Sequence, residues 1–367
     1  MNARISRLTG GIAALAVSAL ALSACAGSST SGDGTDGEPF IYNVGSPNPT
    51  VAMAPYNAVP TEMGYWADQG LDVETVYVDG NALGLQALIG GRADIAVSST
   101  DAVYAFAAQA PNLRIVALTP KNLWRIAVPE SSPVQSVEDL KGKTVGAISL
   151  TGGSYSYGRS IVQSAGLDPE ADVQWLPVSY GTQAAEALNE GRVAAYSSYD
   201  GPIDIVSQLT DEPLRPLPSP LDDVAGSMAY VVTAETLEER PEAIEKFLRG
   251  TYQGMQFAQT NPAAAIEIYW GQHPDQTPTT GTHEEALAST IEATANSWAA
   301  RAVPGDDGIW GYLTPERVAQ AATFFEQHGV IEGTADTDTV VDLSVTQRAS
   351  DFDVAAIDEQ ASKWTAE

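Results

Sequence analysis

The sequence predicts an α/β protein built from two similar lobes. The first observation is a duplication, because GGRADIAVSSTD at 90–101 is echoed by EGRVAAYSSYD at 190–200. Each copy follows an apolar helical run, passes through Gly-Arg into a short apolar strand and ends in Ser-Ser-x-Asp. Second, strand and helix patterns alternate in both halves, which implies parallel strands with helical crossovers. Third, one apolar strand lies between the copies and another follows the second copy, and two connections between two lobes make a hinge.

The elements follow from periodicity and from turn residues. The first half starts with a strand at 40–45 and a proline-rich loop, and then shows an amphipathic helix over 56–69 that ends at Gly70. The second half restarts the pattern with a strand at 144–148. The remainder is predicted to be helical, with proline near several helix starts, over 241–260, 262–270, 283–300 and 314–328.

These patterns predict the following organisation in chain order: a signal peptide at 1–24, a flexible tether at 25–38, the first part of lobe 1 at 39–123, a hinge crossover at 124–136, lobe 2 at 137–225, a return strand with C-terminal helices that complete lobe 1 at 226–345, and an acidic tail at 346–367.

The N-terminal residues predict export. Arg4 and Arg7 precede an apolar segment of small residues at 10–22, which is typical of a secretory signal. The segment ends in Leu-Ser-Ala-Cys, which resembles the lipobox of bacterial lipoproteins, and this resemblance implies that Cys25 is acylated. The alternative is a stray cysteine near the cleavage region of an exported protein. We therefore expect a chain that is lipid-anchored through Cys25 on the extracytoplasmic face of the bacterial cell membrane, with 25–38 as its flexible tether.

Charge and cysteine content exclude several classes. The net charge is −29, or −31 without Arg4 and Arg7, so nucleic acid and anionic lipid are poor partners. Cys25 is the only cysteine, which rules out a disulfide within the chain. The three histidines all lie in the C-terminal helical part, and their spacing indicates neither a zinc site nor a catalytic triad. No metal and no cofactor are expected.

Five stretches, in this order, carry a resemblance to a known family: GYWADQGLDVETV, LQALIGGRADIAV, SVEDLKGKTVGAIS, GLDPEADVQWLPV and EALNEGRVAAY. Together they resemble the substrate-binding proteins of bacterial ABC importers, in the family of sulfonate/taurine, nitrate and thiamine-pyrimidine binders. The resemblance implies a type II periplasmic-binding-protein fold, in which two α/β lobes joined by two hinge strands close on one small molecule. It also implies a monomer that delivers its ligand to a membrane permease driven by a separate ATPase.

The resemblance also indicates which residues contact the ligand. They fall in four loops and at two positions on the cleft wall: Ser46, Tyr56, Ser98, Ser99, Thr100, Asp101, Trp124, Gly152, Gly153, Ser154, Tyr155, Tyr180, Tyr199 and Asp200. No catalytic residue is expected among them.

The loop TGGSYSYG at 151–158 is the most informative of these. Two glycines allow close approach of the backbone, and Ser154 can open a helix whose free amides would hold an anionic or carbonyl oxygen. The alternative is an ordinary turn before a helix. Likewise, Ser98 to Asp101 could simply cap a helix, and Asp200 could do the same in the second copy.

The identity of the ligand stays open at this point. Aromatic residues near the strand ends favour a planar ring or an enclosed cation. The four loops contain no lysine, and Arg125 and Arg159 are the only nearby cations. The sequence therefore leans towards a planar nitrogenous heterocycle or an amine, with a sulfonate or nitrate held by amides and hydroxyls as the alternative. Two further classes are weighed, an enzyme that makes a pyrimidine on the same fold and a surface sensor.

Overall fold

A computed structural model of the protein describes residues 39–366, except 47, 332 and 335. The predicted signal peptide, the tether and the acylation of Cys25 lie outside the described residues.

Strands and helices alternate through most of the chain. In the part that the structure describes, the strands are β1 (Phe40–Val44), β2 (Val73–Tyr77), β3 (Ile95–Ser99), β4 (Leu113–Leu118), β5 (Trp124–Pro129), β6 (Thr144–Ala147), β7 (Gln174–Pro177), β8 (Ala195–Tyr199), β9 (Leu214–Pro216) and β10 (Met228–Thr233). The α-helices are α1 (Ala58–Glu62), α2 (Asn81–Ile89), α3 (Thr100–Ala107), α4 (Gly153–Ser164), α5 (Thr182–Asn189), α6 (Asp200–Leu209), α7 (Ala234–Glu239), α8 (Pro241–Thr260), α9 (Pro262–Gln272), α10 (His283–Arg301), α11 (Pro315–Gln327), α12 (Thr337–Val340), α13 (Thr346–Ala349) and α14 (Val354–Lys363).

The strands form two sheets with the same layout. The first has the order β2-β1-β3-β10-β4 and the second has the order β7-β6-β8-β5-β9. Within each sheet the first three strands are parallel, while the fourth runs antiparallel to both of its neighbours. The prediction of two similar α/β lobes is confirmed, and each sheet is mixed instead of purely parallel. We call the first sheet with its helices lobe 1, and the second sheet with its helices lobe 2.

The antiparallel strands are exchanged between the halves of the chain, and this exchange produces the hinge. Strand β5 follows β4 directly but pairs with β8 and β9 in lobe 2, and β10 returns from lobe 2 to lobe 1. The predicted crossover at 124–136 therefore begins in a strand of lobe 2, and the chain passes between lobes at 119–123 and again at 217–227. The two passages are bonded together, since the amide of Gly226 donates to the carbonyl of Thr119 at 2.9 Å.

The duplicated stretches adopt the same local structure. In each lobe a helix ends, a glycine takes a left-handed conformation, and a buried strand then enters the third position of its sheet. Gly91 and Gly191 both have φ of 66°, a conformation that L-residues with a Cβ atom avoid. Both copies of the Gly-Arg motif therefore form the turn from a helix into a buried strand that the sequence predicts.

The helix predicted over 56–69 is wrong as a continuous element. The structure has a 3₁₀ turn at Val51–Tyr56, α1 at Ala58–Glu62 and a second 3₁₀ turn at Ala67–Gln69. Pro60 cannot donate a helical hydrogen bond, and Gly64 has φ of 71°, so the chain turns between these short pieces.

The C-terminal helices complete lobe 1 and reach beyond it. Helix α8 packs Phe247 under the first sheet, where its ring lies 5.4 Å from that of Phe40. The acidic tail is ordered on this helix, because Gln256 Nε2 donates to Asp358 Oδ1 at 2.7 Å and Ile357 is buried. Among the described residues, none of the helices combines the length and the apolar character needed to cross a membrane.

Candidate functional site

A cleft with a cavity volume of about 250 Å³ lies between the two lobes. A water takes about 30 Å³ in the liquid, so the cavity has room for several waters or for a small organic molecule. Its lining comes from both lobes: Val44, Gly45, Ser46, Thr50, Ala52, Met53, Tyr56, Asp79, Gly80, Asn81, Val97, Leu123, Trp124, Ile148, Ser149, Gly152, Gly153, Ser154, Tyr180, Tyr199, Gly201, Pro202, Ile205, Met228 and Arg301.

The cleft lies where the carboxyl ends of parallel strands meet the first turns of helices, as expected for open α/β sheets. Helix α2 starts at Asn81 and α4 starts at Gly153, and both first residues line the cavity. The first amides of a helix have no intrahelical acceptor, so these ends present free donors and partial positive charge. The same edge of each sheet therefore faces the cavity.

Eight of the residues predicted to contact a ligand lie on the cavity wall: Ser46, Tyr56, Trp124, Gly152, Gly153, Ser154, Tyr180 and Tyr199. The structure brings these together from both lobes. It does not identify a ligand contact for any of them, and their role in binding stays a prediction.

The serines and the aspartate that end the first duplicated stretch do not reach this wall. Ser99 Oγ accepts a hydrogen bond from Asn81 Nδ2 at 2.7 Å, and Thr100 Oγ1 donates to the carbonyl of Gly226 at 2.5 Å. Asp101 accepts from the hydroxyl of Ser156 at 2.6 Å. These side chains are used to join the strand end to α2, to the second passage between lobes and to lobe 2.

Ser98, Tyr155 and Asp200 are also placed away from the cavity. Ser98 is buried within its strand. Tyr155 points to the outside of lobe 2, where its hydroxyl donates to Glu170 Oε1 at 3.3 Å. Asp200 pairs with Arg125 at 3.6 Å. Burial raises the pKa of Asp200 to about 6, against the lowering effect of Arg125.

The aromatic residues of the wall are held by packing from behind. Trp124 stacks on Tyr157 at 4.9 Å between ring centroids, and Tyr199 meets Trp124 edge-on at 5.5 Å. Gly153 lies directly against the indole, because an added Cβ atom would stand 2.4 Å from two of its ring carbons. Burial raises the pKa of Tyr199 to about 12, so its hydroxyl is neutral and can donate or accept. Tyr180 is 41% exposed and lies at the rim.

Sequence reasoning missed Arg301, which ends α10 and is the one arginine among the described residues that line the cavity. Its guanidinium lies 4.3 Å from the centroid of the Tyr56 ring, and the residue is only 9% exposed. Arg125 and Arg159, the cations that the sequence singled out, are engaged by Asp200 and by Glu170. Arg301 stands more than a hundred residues beyond the loops of the motifs, so no local pattern connects it with them.

Asn81 was missed as well, although the pair Gly80-Asn81 at the start of α2 is a turn signal. Asn81 lies against Gly45 at the end of β1. Only a glycine fits there, because an added Cβ atom at position 45 would stand 2.6 Å from Asn81 Oδ1. The end of β1 and the start of α2 can therefore lie side by side on the wall.

The lobes touch along a seam beside the cavity, formed by α6 of lobe 2 and α10 of lobe 1. Asn296 Nδ2 donates to Asp204 Oδ1 at 3.3 Å, and Gln208 Nε2 donates to the carbonyl of Ser289 at 3.1 Å. Burial raises the pKa of Asp204 to about 7, while the bond from Asn296 lowers it. Because both bonds join different lobes, this seam would open if the lobes separated.

The groups available in the cleft are hydroxyls, amides, aromatic rings, the carboxylate of Asp79 and the guanidinium of Arg301. In the described part of the chain, no cluster of three or more histidine, cysteine or acidic side chains is arranged to hold a metal ion. The arrangement suits the capture of a small polar molecule between two lobes, which is the class of protein that this fold and cleft define.

The sequence profile of the family described as NMT1/THI5-like matches residues 56–265. The match covers more than half of the chain, and the chain therefore belongs to this family. The resemblance predicted from the sequence is confirmed.

Among curated proteins, the chain is similar to the riboflavin-binding protein RibY of Chloroflexus aurantiacus, with 25% identity over 223 residues. The aligned region is 60% of this chain and spans 62% of the length of that relative.

Two solved structures share the fold. The alkanesulfonate-binding protein SsuA from Xanthomonas axonopodis pv. citri, bound to MOPS, superposes with a TM-score of 0.60 at 15% identity, covering 82% of this chain and 97% of that one. The periplasmic aliphatic sulphonate binding protein SsuA from Escherichia coli gives a TM-score of 0.56 at 19% identity, covering 82% and 90%. At such low identity these likenesses show that the chain has the periplasmic-binding-protein fold.

Proposed function

We propose that this protein is the extracytoplasmic solute-binding component of an ABC importer, which captures a small molecule between its lobes and delivers it to a membrane permease and its ATPase. The observation that carries the proposal is the cavity that is walled by both lobes and lies beside the two bonded passages between them. A ligand in this position would contact both sheets at once, so its binding energy would favour the closed arrangement.

The curated relative binds riboflavin by its name, and the structural neighbours are sulfonate-binding proteins by theirs. A planar nitrogenous solute and an organic sulfonate are therefore the two ligand classes to test first. All three are binding proteins by name, and this favours a receptor over an enzyme on the same fold. Anchoring through Cys25 and a monomeric state belong to the same proposal.

The proposal predicts that a ligand both stabilises the protein and compacts it. A thermal-shift screen of the full chain would use riboflavin, pyrimidines, taurine, alkanesulfonates, nitrate and small amines. A ligand at a hundred times its dissociation constant adds about 2.7 kcal/mol to the free energy of unfolding. Small-angle scattering with each hit should then show a smaller radius of gyration than without it.

Closure can be tested separately with a wedge. Gly201 of α6 faces lobe 1, where an added Cβ atom would stand 3.4 Å from that of Ala52. Gly201 also lines the cavity, so the Gly201→Phe variant places a ring both between the lobes and beside the ligand. We expect it to keep its fold, to bind more weakly and, at saturating ligand, to lose compaction, which is the readout for closure. A wedge variant that binds and compacts like the parent would contradict closure, and the absence of any hit or compaction in the parent would contradict the receptor.

A further inference from the structure

The proposed cleft contains a buried positive charge without a counter-charge. Arg301 is 9% exposed, and among the described residues no aspartate or glutamate forms an ion pair with it. Its Nε is fully buried and finds no hydrogen-bond acceptor there. A buried charge is costly unless something pairs with it, so this guanidinium is poised for a partner.

The neighbours of Arg301 are neutral. The Tyr56 ring lies beneath it, and the hydroxyl oxygens of Tyr56 and Tyr230 are buried without hydrogen bonds of normal geometry in the described structure. Burial lowers the pKa of Arg301, the surrounding tyrosine hydroxyls raise it, and the net shift is upward. The guanidinium is therefore charged at any physiological pH, and the tyrosines support the charge without cancelling it.

Lobe 2 contributes the complementary half of the site. Gly152, Gly153 and Ser154 line the same cavity at the start of α4, a helix of twelve residues whose first amides carry partial positive charge. Among the described residues that line the cavity, the one carboxylate is that of Asp79, which is exposed. A ligand between the lobes would thus meet a cation on one side and helix amides on the other.

From these observations we infer that the ligand is an organic anion, with one carboxylate, sulfonate or phosphate group held by Arg301 and an apolar or aromatic body against Trp124 and Tyr199. The inference rests on the proposed receptor function and narrows its ligand class. It replaces the expectation of an amine, since a cationic ligand would be repelled by Arg301 inside a desolvated cleft. A planar heterocycle still fits if it carries an acidic group.

The test uses pairs of probes that differ in charge and keep their body. Riboflavin 5′-phosphate is compared with riboflavin, and naphthalene-2-sulfonate with naphthalene-2-sulfonamide, by isothermal titration calorimetry on the full chain. The charged member should bind more tightly in at least one pair. A hydrogen-bonded charge is worth about 1.5–3 kcal/mol, so Arg301→Gln should weaken the charged member by roughly 10–100-fold. The neutral member should change by less than about threefold, which also shows that the variant is folded.

Two further variants sharpen the result. Arg301→Lys keeps the charge but loses the planar fork, so we expect an intermediate affinity for the charged probe. Arg159→Gln is the matched control, because Arg159 also lies over a tyrosine ring, 5.3 Å from the centroid of Tyr155, but outside the cleft. It should leave both probes unaffected.

The inference is overturned if the neutral members bind as tightly as the charged ones, if Arg301→Gln weakens both members equally, or if no charged probe binds. The receptor proposal has a separate readout, which is compaction in small-angle scattering. A neutral solute that binds and compacts the parent would contradict the inference of an anionic ligand but would support the receptor proposal. No compaction with any solute would count against both.

Discussion

Gly153→Ala should damage both the stability and the cleft of this protein, although the change adds a single methyl group. The new Cβ atom would stand 2.4 Å from Cζ2 and Cη2 of Trp124, whereas carbon atoms pack best at about 3.5–4.0 Å. The indole would have to move by about 1 Å or more. It cannot do so freely, because Tyr157 stacks on it at 4.9 Å and the residue is buried.

The expected cost is about 1–3 kcal/mol, the usual range for overpacking a core. Helix propensity works in the opposite direction, since alanine is better than glycine by up to about 1 kcal/mol in a helix. Gly271→Ala is the matched control, because Gly271 lies in α9 with nothing within 4 Å of an added Cβ atom. It should be neutral or slightly stabilising, while Gly153→Ala lowers the melting temperature by several degrees at most.

A double-mutant cycle identifies the cause. In the background of Trp124→Leu, the ring carbons that meet the new methyl group are gone, so adding Gly153→Ala should cost little. The coupling energy from urea denaturation should then lie within about 0.5–3 kcal/mol. An equal cost in both backgrounds would show that the clash with Trp124 is not the reason, and a Gly153→Ala protein as stable as its parent would refute the packing argument altogether.

Three other predictions follow from the described contacts. Gly91→Ala and Gly191→Ala should each cost about 1–2 kcal/mol, because both glycines have φ of 66°; denaturation curves that differ by more than that range would break the equivalence of the two copies. Burial raises the pKa of Asp204 to about 7, so the folded state holds the extra proton between about pH 4 and 7 and stability falls as pH rises there. Asp204→Asn should therefore stabilise the protein by about 1–2 kcal/mol at pH 8 after allowance for partial exposure, and much less at pH 4, as urea titrations at the two values would show. Ser156→Ala removes the hydroxyl that donates to the buried Asp101 at 2.6 Å, so it should lower the free energy of unfolding by about 1–3 kcal/mol at pH 7. An unchanged midpoint of urea unfolding would argue against this hydrogen bond between the lobes.

Much of the fold could be predicted because its signals are local. The Gly-Arg turns before β3 and β8, the apolar strands after them and the proline starts of α8 and α9 all act within a few residues. The direction of β5 and β10 could not be predicted in this way. A buried strand is apolar on both faces whether it runs parallel or antiparallel, so its own sequence does not show its direction.

The break in the helix predicted over 56–69 was visible in principle. Pro60 and Gly64 stand inside that segment, and each disfavours a continuous helix for a known reason. The amphipathic pattern outweighed them in the prediction because apolar residues before the last 3₁₀ turn still pack into one core, although the turn Ala67–Gln69 itself buries none of its residues. Tyr56, Val59 and Tyr65 are all buried in it.

The candidate site was predictable only in part, since a strand end shows which residues are near a cleft but not which way they turn. Thr100 lies at the expected edge, yet its hydroxyl is bound by the carbonyl of Gly226, 126 residues further along the chain. Gly153 and Ser154 lie at the same edge of the other sheet and do reach the cavity. Partners far away in the sequence decide which of these residues face the cavity, and the local sequence pattern does not show those partners.

Arg301 shows that one buried charge can favour an anionic ligand although the net charge of the chain is strongly negative. The chain carries a net charge of −29, which would repel an anion approaching from solution. At physiological ionic strength that repulsion is screened beyond about 8 Å, whereas a charge inside a desolvated cleft is screened far less. One unpaired guanidinium in the cleft can therefore determine that the bound ligand is negatively charged, although acidic residues outnumber basic ones in the chain. Counting charges along the sequence could not reveal this, because what matters is that Arg301 is buried without an ion-pair partner among the described residues.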